Sequence, residues 1–286
     1  MKYWIWLASV EGLGPVKKLA LLSKFKTVKK IYSATEKEIL KIDGMSDKIV
    51  QNMQKAKDSN LLEKYEKYIL KNDIKIINIS DESYPAKLKN IYAPPITIFA
   101  KGDISLLNSK SIAIVGSREP SKYGIYVAEK FSTELSKEGI TVVSGLARGI
   151  DTFAHIGALS SFSKTIAVLG SGIDIVYPKE NAKYYREISE KGLIISEYIV
   201  GTAPESKNFP QRNRIISGLS DGVLVVEARK NSGTMITTDF ALEQGKELYV
   251  IPGNITSNLS VGTNNLIKEG AKLVTDVCEI LEDLNC

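Results

Sequence analysis

The segment Ser-Ile-Ala-Ile-Val-Gly-Ser-Arg, residues 111–118, is a short apolar run that ends in a glycine, a serine and an arginine. Its apolar residues are consecutive and do not alternate with polar ones, which predicts a strand buried on both faces. Such strands are typical of a parallel sheet covered by helices. The pattern recurs along the chain, and the further strand candidates are residues 140–143, 165–169, 193–196, 222–226, 247–251 and 272–274.

Helical periodicity fills the intervals between these strands. The predicted helices are residues 122–138, 148–162, 181–191, 209–219 and 233–245. Regular alternation of strand and helix indicates an α/β fold, here a Rossmann-like, doubly wound and mostly parallel sheet. We therefore predict a Rossmann-like domain over residues 73–286. Within it, residues 73–109 carry strand candidates at 74–79 and 96–99 and form an extension packed on the sheet.

Residues 1–72 have a different character and predict a small all-helical domain. They hold 15 lysines against eight acidic residues, in a chain of 286 residues whose net charge is +5. A basic lobe indicates an anionic partner such as nucleic acid, although a solvated lysine-rich surface has the same composition. Residues 10–18 and 42–49 share the form apolar-x-Gly-apolar-small before a helix. They resemble a degenerate helix-hairpin-helix (SAM-like) pair, which either contacts DNA or serves packing and partner docking.

Composition excludes several classes of function. The only cysteines are Cys278 and Cys286, which make no disulfide framework or metal-ligand spacing and fit a reducing cytosol. His155 is the only histidine, so His-based metal sites and Ser-His or Cys-His catalysis lack material, and we expect it to be a packed residue. No apolar run approaches the roughly 18 residues of a membrane span, and we read the apolar N-terminus as a buried helix. We expect a cytoplasmic protein.

The candidate site follows from the ends of the strands. In a doubly wound sheet, ligands bind beyond the carboxyl ends of the strands. Glycine and serine dominate these ends, and several cations accompany them, which favours a phosphate-rich ligand over a purely geometric need for small residues. The predicted contacts are Gly116, Ser117, Arg118, Ser144, Gly145, Gly170, Ser171, Lys179, Arg212, Asn213 and Arg214.

The order of these residues also indicates which phosphate ligand to expect. A dinucleotide site needs G-x-G-x-x-G after the first strand and an acidic residue at the end of the second, and both are missing. The G-x-x-x-x-G-K-[ST] loop of P-loop nucleotidases is missing as well. An extended nucleic-acid backbone fits a row of separate small pockets better, and we predict no cofactor and no catalytic residue.

Five motifs occur in order: I-A-I-V-G-S-R at 112–118, S-G-L-A-R-G-I-D at 144–151, G-S-G-I-D-I-V-Y-P-K-E-N at 170–181, F-P-Q-R-N-R-I-I-S-G-L at 209–219 and S-G-T-M-I-T-T-D-F-A-L-E-Q-G at 232–245. Together they resemble the DNA-processing protein A (DprA/Smf) family over residues 73–275. The resemblance implies a Rossmann-like core that binds and protects single-stranded DNA, forms a homodimer, and loads the RecA recombinase in natural transformation.

The resemblance also assigns roles to particular residues. It makes Arg118 and Lys179 the main DNA-gripping cations, with the Gly-Ser loops and residues 211–214 completing the pocket. Some family members carry a C-terminal winged-helix domain, which we do not expect here because the sequence stops at Cys286.

Two enzymatic alternatives stay open on the sequence. One is a nucleotide-processing hydrolase, for which Glu227 and Glu243 are the best candidates and residues 232–234 echo a phosphate loop. The other is a nuclease or topoisomerase-like enzyme, which would need clustered carboxylates for Mg²⁺. Among the aromatic residues, Tyr177, Tyr184 and Tyr185 are candidates to stack on bases, although at least two of them are expected to pack in the core.

Overall fold

The computed structural model describes residues 1–162 and 164–285. Its N-terminal part is helical, as predicted, and consists of α1 (Lys2–Ser9), α2 (Pro15–Phe25), α3 (Val28–Ser33), α4 (Glu36–Leu40), α5 (Asp47–Lys55) and α6 (Ser59–Lys71). Local capping explains where several helices begin. The Asp58 carboxylate accepts the backbone N–H groups of Asn60 and Leu61 at the start of α6. Thr35 and Glu38 cap each other reciprocally at the start of α4.

The two glycine hairpins predicted in this region lie side by side. Gly12 and Gly44 both have positive φ, at 77° and 78°, so each turn uses a backbone conformation that side chains disfavour. The Asn52 amide of α5 donates to the Glu11 carbonyl of the first hairpin at 3.0 Å. A second link joins α1 to α5, where Trp6 Nε1 donates to the Met53 carbonyl at 3.1 Å. The hairpins therefore form one packed tandem.

The remainder of the chain builds a nine-stranded sheet. Its strands are β1 (Lys75–Asn78), β2 (Thr97–Gly102), β3 (Ser111–Val115), β4 (Thr141–Ser144), β5 (Thr165–Leu169), β6 (Leu193–Ser196), β7 (Gly222–Val225), β8 (Glu247–Val250) and β9 (Lys272–Leu273), in the spatial order β1-β2-β6-β5-β4-β3-β7-β8-β9. Only β1 and β2 pair antiparallel with their neighbours, and all other pairs are parallel. The predicted Rossmann-like, mostly parallel fold is confirmed.

Helices cover both faces of this sheet. They are α7 (Ala86–Lys89), α8 (Lys122–Lys137), α9 (Ile150–Leu159), α10 (Ala182–Lys191), α11 (Asn208–Leu219), α12 (Gly233–Glu243), α13 (Val261–Lys268) and α14 (Cys278–Asp283), with short 3-10 helices at Ile104–Asn108 and Lys179–Asn181. Strand β3 shows why its apolar residues are consecutive. Ile112 and Ile114 pack in one core with α8 and α9, whereas Ala113 and Val115 pack in the other with α11.

The N-terminal helices and the sheet share a third apolar core. Trp6 and Leu21 belong to the same cluster as Phe99 of β2, Leu169 of β5 and Ile194 of β6. The boundary that we place after residue 72 therefore stays a prediction, since the cores on its two sides are continuous. The segment 73–109, predicted to pack on the sheet, is instead part of it: it supplies β1 and β2, and β2 pairs with β6. An ion pair between Lys87 Nζ and Asp221 Oδ2, at 2.6 Å, adds a further link.

Three features considered from composition are the membrane spans, the single histidine and the cysteines. In residues 1–162 and 164–285, no helix combines the length and the apolar character that crossing a bilayer requires. His155 is fully buried in α9, and its Nδ1 lies 2.7 Å from Thr165 Oγ1, which itself donates to the Val142 carbonyl. It is a packed histidine, as expected. Cys278 is a free, exposed thiol, and Cys286 lies outside the described residues.

His155 generates a pH-dependent stability. Burial lowers its pKa to about 3, so below pH 6.5 the unfolded chain takes up a proton that the folded chain refuses. The contribution of His155 to the free energy of unfolding is therefore present above pH 6.5 and decreases as the pH falls towards 3. The expected decrease between pH 7 and pH 5 is about 2 kcal/mol. His155→Gln cannot titrate. In urea unfolding at both pH values, its free energy of unfolding should therefore fall by about 2 kcal/mol less than that of the parent. An identical loss in both proteins would contradict the assignment.

Candidate nucleic-acid interface

The carboxyl ends of β3, β4, β5 and β7 open into one groove, which we call the strand-end groove. It encloses about 640 Å³ and continues into a narrower cleft beside the end of β5. Of the predicted contacts, the groove is lined by Gly116, Ser117, Arg118, Arg212 and Asn213, and the cleft adds Gly145, Gly170 and Ser171. The structure thus brings together eight of the eleven site residues that were predicted from the sequence.

The first turn of α11 closes down on two of these strand ends. A Cβ atom on Gly145 would lie 2.5 Å from Arg212 Nη1, and one on Gly170 would lie 2.8 Å from the ring of Phe209. Both distances are shorter than side-chain contacts allow. Each glycine is therefore required because a side chain of α11 occupies the space above it.

Arg212 is held inside the protein and is only 4% exposed. Its Nη1 donates to the Gly145 carbonyl at 2.5 Å and also to the Val168 carbonyl, and its Nε donates to Asn213 Oδ1 at 3.2 Å. Burial lowers its pKa to about 10, an effect that the nearby Asp151 carboxylate opposes. Arg212 therefore ties the ends of β4 and β5 to α11, and its predicted contact with phosphate stays a prediction.

Asp151 completes this buried polar cluster. Its carboxylate accepts the Gly145 N–H at 3.1 Å. Burial raises its pKa, while Arg212 and the backbone donors of Ala147 and Gly145 act in the opposite direction. The residue therefore fixes the loop after β4.

Arg118 is a cation that lines the groove from the loop after β3. It is exposed and makes no ion pair with any residue of the described ranges. The loop that carries it is anchored, because the Ser117 carbonyl accepts the Ile150 N–H at 3.0 Å and the Ser117 hydroxyl accepts the Glu119 N–H at 3.1 Å. A free charge on a fixed loop is suited to binding an anion.

Lys179 lies at the rim, next to the cleft residues Tyr177 and Pro178. It is also exposed, and the part of the chain that the structure describes offers it no ion-pair partner. Its short 3-10 helix is fixed by Asn181, whose amide donates to the Leu146 carbonyl and to Thr152 Oγ1, each at 2.9 Å. Lys179 and Arg118 are thus held on loops that follow β5 and β3, the two strands on either side of β4.

Two predicted contacts lie away from the surface of the groove. Ser144 is buried, and its hydroxyl donates to the Ile114 carbonyl at 2.7 Å. Arg214 is 2% exposed and forms an ion pair with Glu197, Nη2 to Oε2, at 2.5 Å. Two residues along an α-helix differ by about 200° in direction, so α11 cannot aim both Arg212 and Arg214 at the same site. The structure assigns Arg214 to the interior.

The list of predicted contacts omitted three side chains that line the groove, Arg148, Arg229 and Phe209, whereas Tyr177, a predicted stacking candidate, does line it. The rings of Tyr177 and Phe209 lie 5.6 Å apart, and Arg212 lies over the Phe209 ring at 5.9 Å. Both arginines could have been found in the sequence, since Arg148 stands inside the motif after β4 and Arg229 lies four residues after the end of β7. Reading each loop through to its cation would have found both.

The carboxylates considered for hydrolysis have other places. Glu227 is buried, and its two oxygens accept the Ser121 N–H at 2.9 Å and the Ser121 hydroxyl at 2.5 Å, which fixes the start of α8. Glu243 is exposed in the last turn of α12, whereas the first turn of that helix lines the groove. Within the described ranges, no three His, Cys, Asp or Glu side chains come together as metal ligands.

Comparisons with known proteins point to one family. The model of DNA recombination-mediator protein A matches residues 75–285, and that of the SAM-like helix-hairpin-helix tandem matches residues 7–56. DNA processing protein DprA of Streptococcus pneumoniae is 46% identical over 206 residues, 72% of this chain and 73% of that protein. The X-ray structure of DprA from Streptococcus pneumoniae has a TM-score of 0.88 at 38% identity and covers 99% of this chain and 97% of that one.

A further solved structure carries a statement about a ligand. DNA processing protein A from Helicobacter pylori, described for its single-stranded DNA binding mode, has a TM-score of 0.66 at 33% identity. The match covers 74% of this chain and 95% of that one. The helix-hairpin-helix resemblance of the N-terminal tandem is confirmed by the family match over residues 7–56.

The different settings of Arg212 and Arg118 predict different effects on stability. Arg212→Ala removes the donor of two buried carbonyls and the counter-charge of Asp151, and should lower the free energy of unfolding by about 3 kcal/mol. Arg118→Ala, at an exposed position, should change it by no more than about 0.5 kcal/mol. Denaturant unfolding of the two variants measures both values. Equal stability of the two variants would show that Arg212 does not tie the ends of β4 and β5 to α11.

Proposed function

Since the chain belongs to the DNA recombination-mediator protein A (DprA/Smf) family, we propose that it binds single-stranded DNA in the strand-end groove, protects the strand and delivers it to the RecA recombinase. The process served is natural transformation or another form of recombination. The five sequence motifs correctly identified the family.

One observation carries the proposal: the exposed cations follow one edge of the sheet. Lys179 follows β5, Arg148 follows β4, Arg118 follows β3 and Arg229 follows β7, and these four strands are consecutive neighbours. Adjacent strands lie about 4.8 Å apart, so the row extends about 14 Å. Such a row is long enough for several successive phosphates, whereas a single nucleotide would meet only part of it.

The character of the groove supports single-stranded DNA in particular. Its donors are guanidinium groups and backbone amides, which bind phosphates and carry little information about base sequence. The exposed ring of Tyr177 adds a surface on which a base can stack. The Helicobacter pylori relative is described as binding single-stranded DNA, which supports the same ligand here. We expect binding that is almost independent of sequence.

The proposal includes a homodimer through the Rossmann-like core, RecA as the receiving partner, and a cytoplasmic location, where strand and recombinase meet. It assigns the protein no chemistry of its own. The helix-hairpin-helix tandem contacts either DNA or a protein partner. The alternative, a nucleotide-processing hydrolase, is weakened by the engagement of Glu227 with Ser121 and is tested by assays for phosphate release and strand cleavage.

Reversing the charge of Arg118 tests the groove directly. Arg118→Glu should weaken binding of a single-stranded oligonucleotide by about tenfold or more, because a phosphate contact becomes a repulsion. Its melting temperature should stay within about 1 °C of the parent, as expected for an exposed site. The matched control is Arg186→Glu, an exposed arginine on α10 outside the lining of the groove. Parental affinity in Arg118→Glu would place the DNA elsewhere.

Salt dependence distinguishes an extended strand from a compact nucleotide. A single strand that neutralises Z phosphates gives a log–log slope of about −0.7Z. Engagement of Arg118 and Lys179 alone predicts about −1.4, and engagement of Arg148 and Arg229 as well predicts about −2.8. Removing Arg118 should reduce the magnitude by about 0.7. Titrations of one nucleotide and of a long oligonucleotide at several salt concentrations measure this, and equal affinity for both would favour the nucleotide enzyme.

A further inference from the structure

Arg118 and Lys179, which make no ion pair in the described ranges, are each followed in sequence by a glutamate. Each glutamate pairs with an arginine on the loop after an adjacent strand. Glu119, after Arg118, lies 3.3 Å from Arg229, Oε2 to Nη2. Glu180, after Lys179, accepts a hydrogen bond from Arg148 Nε. Within the described ranges, the exposed cations at these strand ends are thus in two states: Arg118 and Lys179 make no ion pair, whereas Arg148 and Arg229 are each paired with a carboxylate.

The paired cations are exposed on both sides of the contact. The side chains of Arg229 and Glu119 are 60% and 82% exposed, and those of Arg148 and Glu180 are 61% and 52% exposed. Ion pairs in water contribute little to stability and are readily replaced. A DNA phosphate offers a guanidinium the same kind of oxygen acceptors as a carboxylate does. Exchange between the two acceptors is therefore possible without any change in the fold.

Each arginine–glutamate pair reduces the local positive charge more than it occupies the N–H donors of the arginine. A guanidinium has five N–H donors, and each glutamate takes only one of those of its arginine. An approaching phosphate therefore meets an arginine whose donors are free but whose charge is neutralised. The hydrogen bond between Arg148 and Glu180 raises the pKa of Arg148 and lowers the pKa of Glu180. Both groups therefore stay ionised near neutral pH.

We propose that Glu119 and Glu180 are guard carboxylates, which hold Arg229 and Arg148 until a bound strand replaces them with phosphate. The inference rests on the proposed function and adds to it how the affinity is set. A strand first binds Arg118 and Lys179, and its neighbouring phosphates then compete for the guarded arginines. When the strand leaves, each carboxylate recovers its arginine, which keeps the affinity below its maximum and favours release of the strand to a recipient.

The test removes the guard charges one at a time. Glu119→Gln and Glu180→Gln keep the size of the side chain and should each tighten binding of a long oligo(dT) about threefold or more at low salt. Each should also steepen the log–log salt slope by up to about 0.7, because one more arginine is neutralised by phosphate alone. The matched control is Glu187→Gln, which breaks the exposed pair with Lys183 on α10 and should leave the affinity unchanged.

A double-mutant cycle separates exchange from a general gain in positive charge. Glu180→Gln should lose its benefit in an Arg148→Ala background, and Glu119→Gln should lose its benefit in Arg229→Ala. Unchanged affinity in the single glutamine variants, or a gain that persists without the paired arginine, would overturn the guard model. If the parent binds single-stranded DNA and depends on Arg118, the proposed function survives that result. If the parent does not bind single strands at all, both ideas fail.

Discussion

The buried guanidinium of Arg212 is the contact on which the whole strand-end groove depends. It donates to backbone carbonyls at the ends of β4 and β5 and lies beside the Asp151 carboxylate, which in turn accepts the Gly145 N–H. Burying an arginine is costly unless its donors are satisfied and its charge is compensated. Here the two carbonyls accept its donors, and the Asp151 carboxylate opposes the lowering of its pKa by burial. The same arrangement brings the first turn of α11 onto the strand ends. Gly145 and Gly170 then follow as requirements, because Arg212 and Phe209 occupy the space above them.

The helix α11 divides its arginines between two tasks that are both structural. While Arg212 holds the loops, Arg214 is buried against Glu197. Lys18 of α2 is buried in the same electrostatic neighbourhood, where burial lowers its pKa, Glu197 opposes that effect and Arg214 reinforces it. The charges of the N-terminal helices and of the sheet are thus coupled close to the groove. Binding in the proposed function then falls to exposed residues on the loops, whose charge is not already used inside the protein.

Sequence reasoning located the strands closely, because short apolar runs recur at regular intervals between helical segments, which is typical of a parallel sheet covered on both faces. Strands β3, β5 and β6 have the predicted bounds, and β4 is displaced by one residue. The proposal that Arg118 and Lys179 grip DNA stays a prediction; the structure places both at exposed positions after strand ends, Lys179 within a short 3-10 helix. Sequence reasoning placed Arg214 with Arg212 because residues close in sequence were treated as close in direction, which a helix does not allow. The pairing of Arg148 with Glu180 could not be predicted from the sequence, because the pairing depends on how the loops after β4 and β5 approach each other.

The contrast between buried and exposed arginines has a consequence for a protein proposed to pass its ligand on. Arg212 acts at low exposure, where its hydrogen bonds are strong and fixed, and it keeps the loops in place whether or not a strand is present. The groove cations act in water, where salt screens their contacts over a Debye length of about 8 Å and each contact is individually weak. A strand held by several weak contacts can be released one phosphate at a time. A recipient that captures the freed nucleotides in turn never has to break the whole set at once, so a rigid scaffold and an easily exchanged ligand are compatible in the same groove.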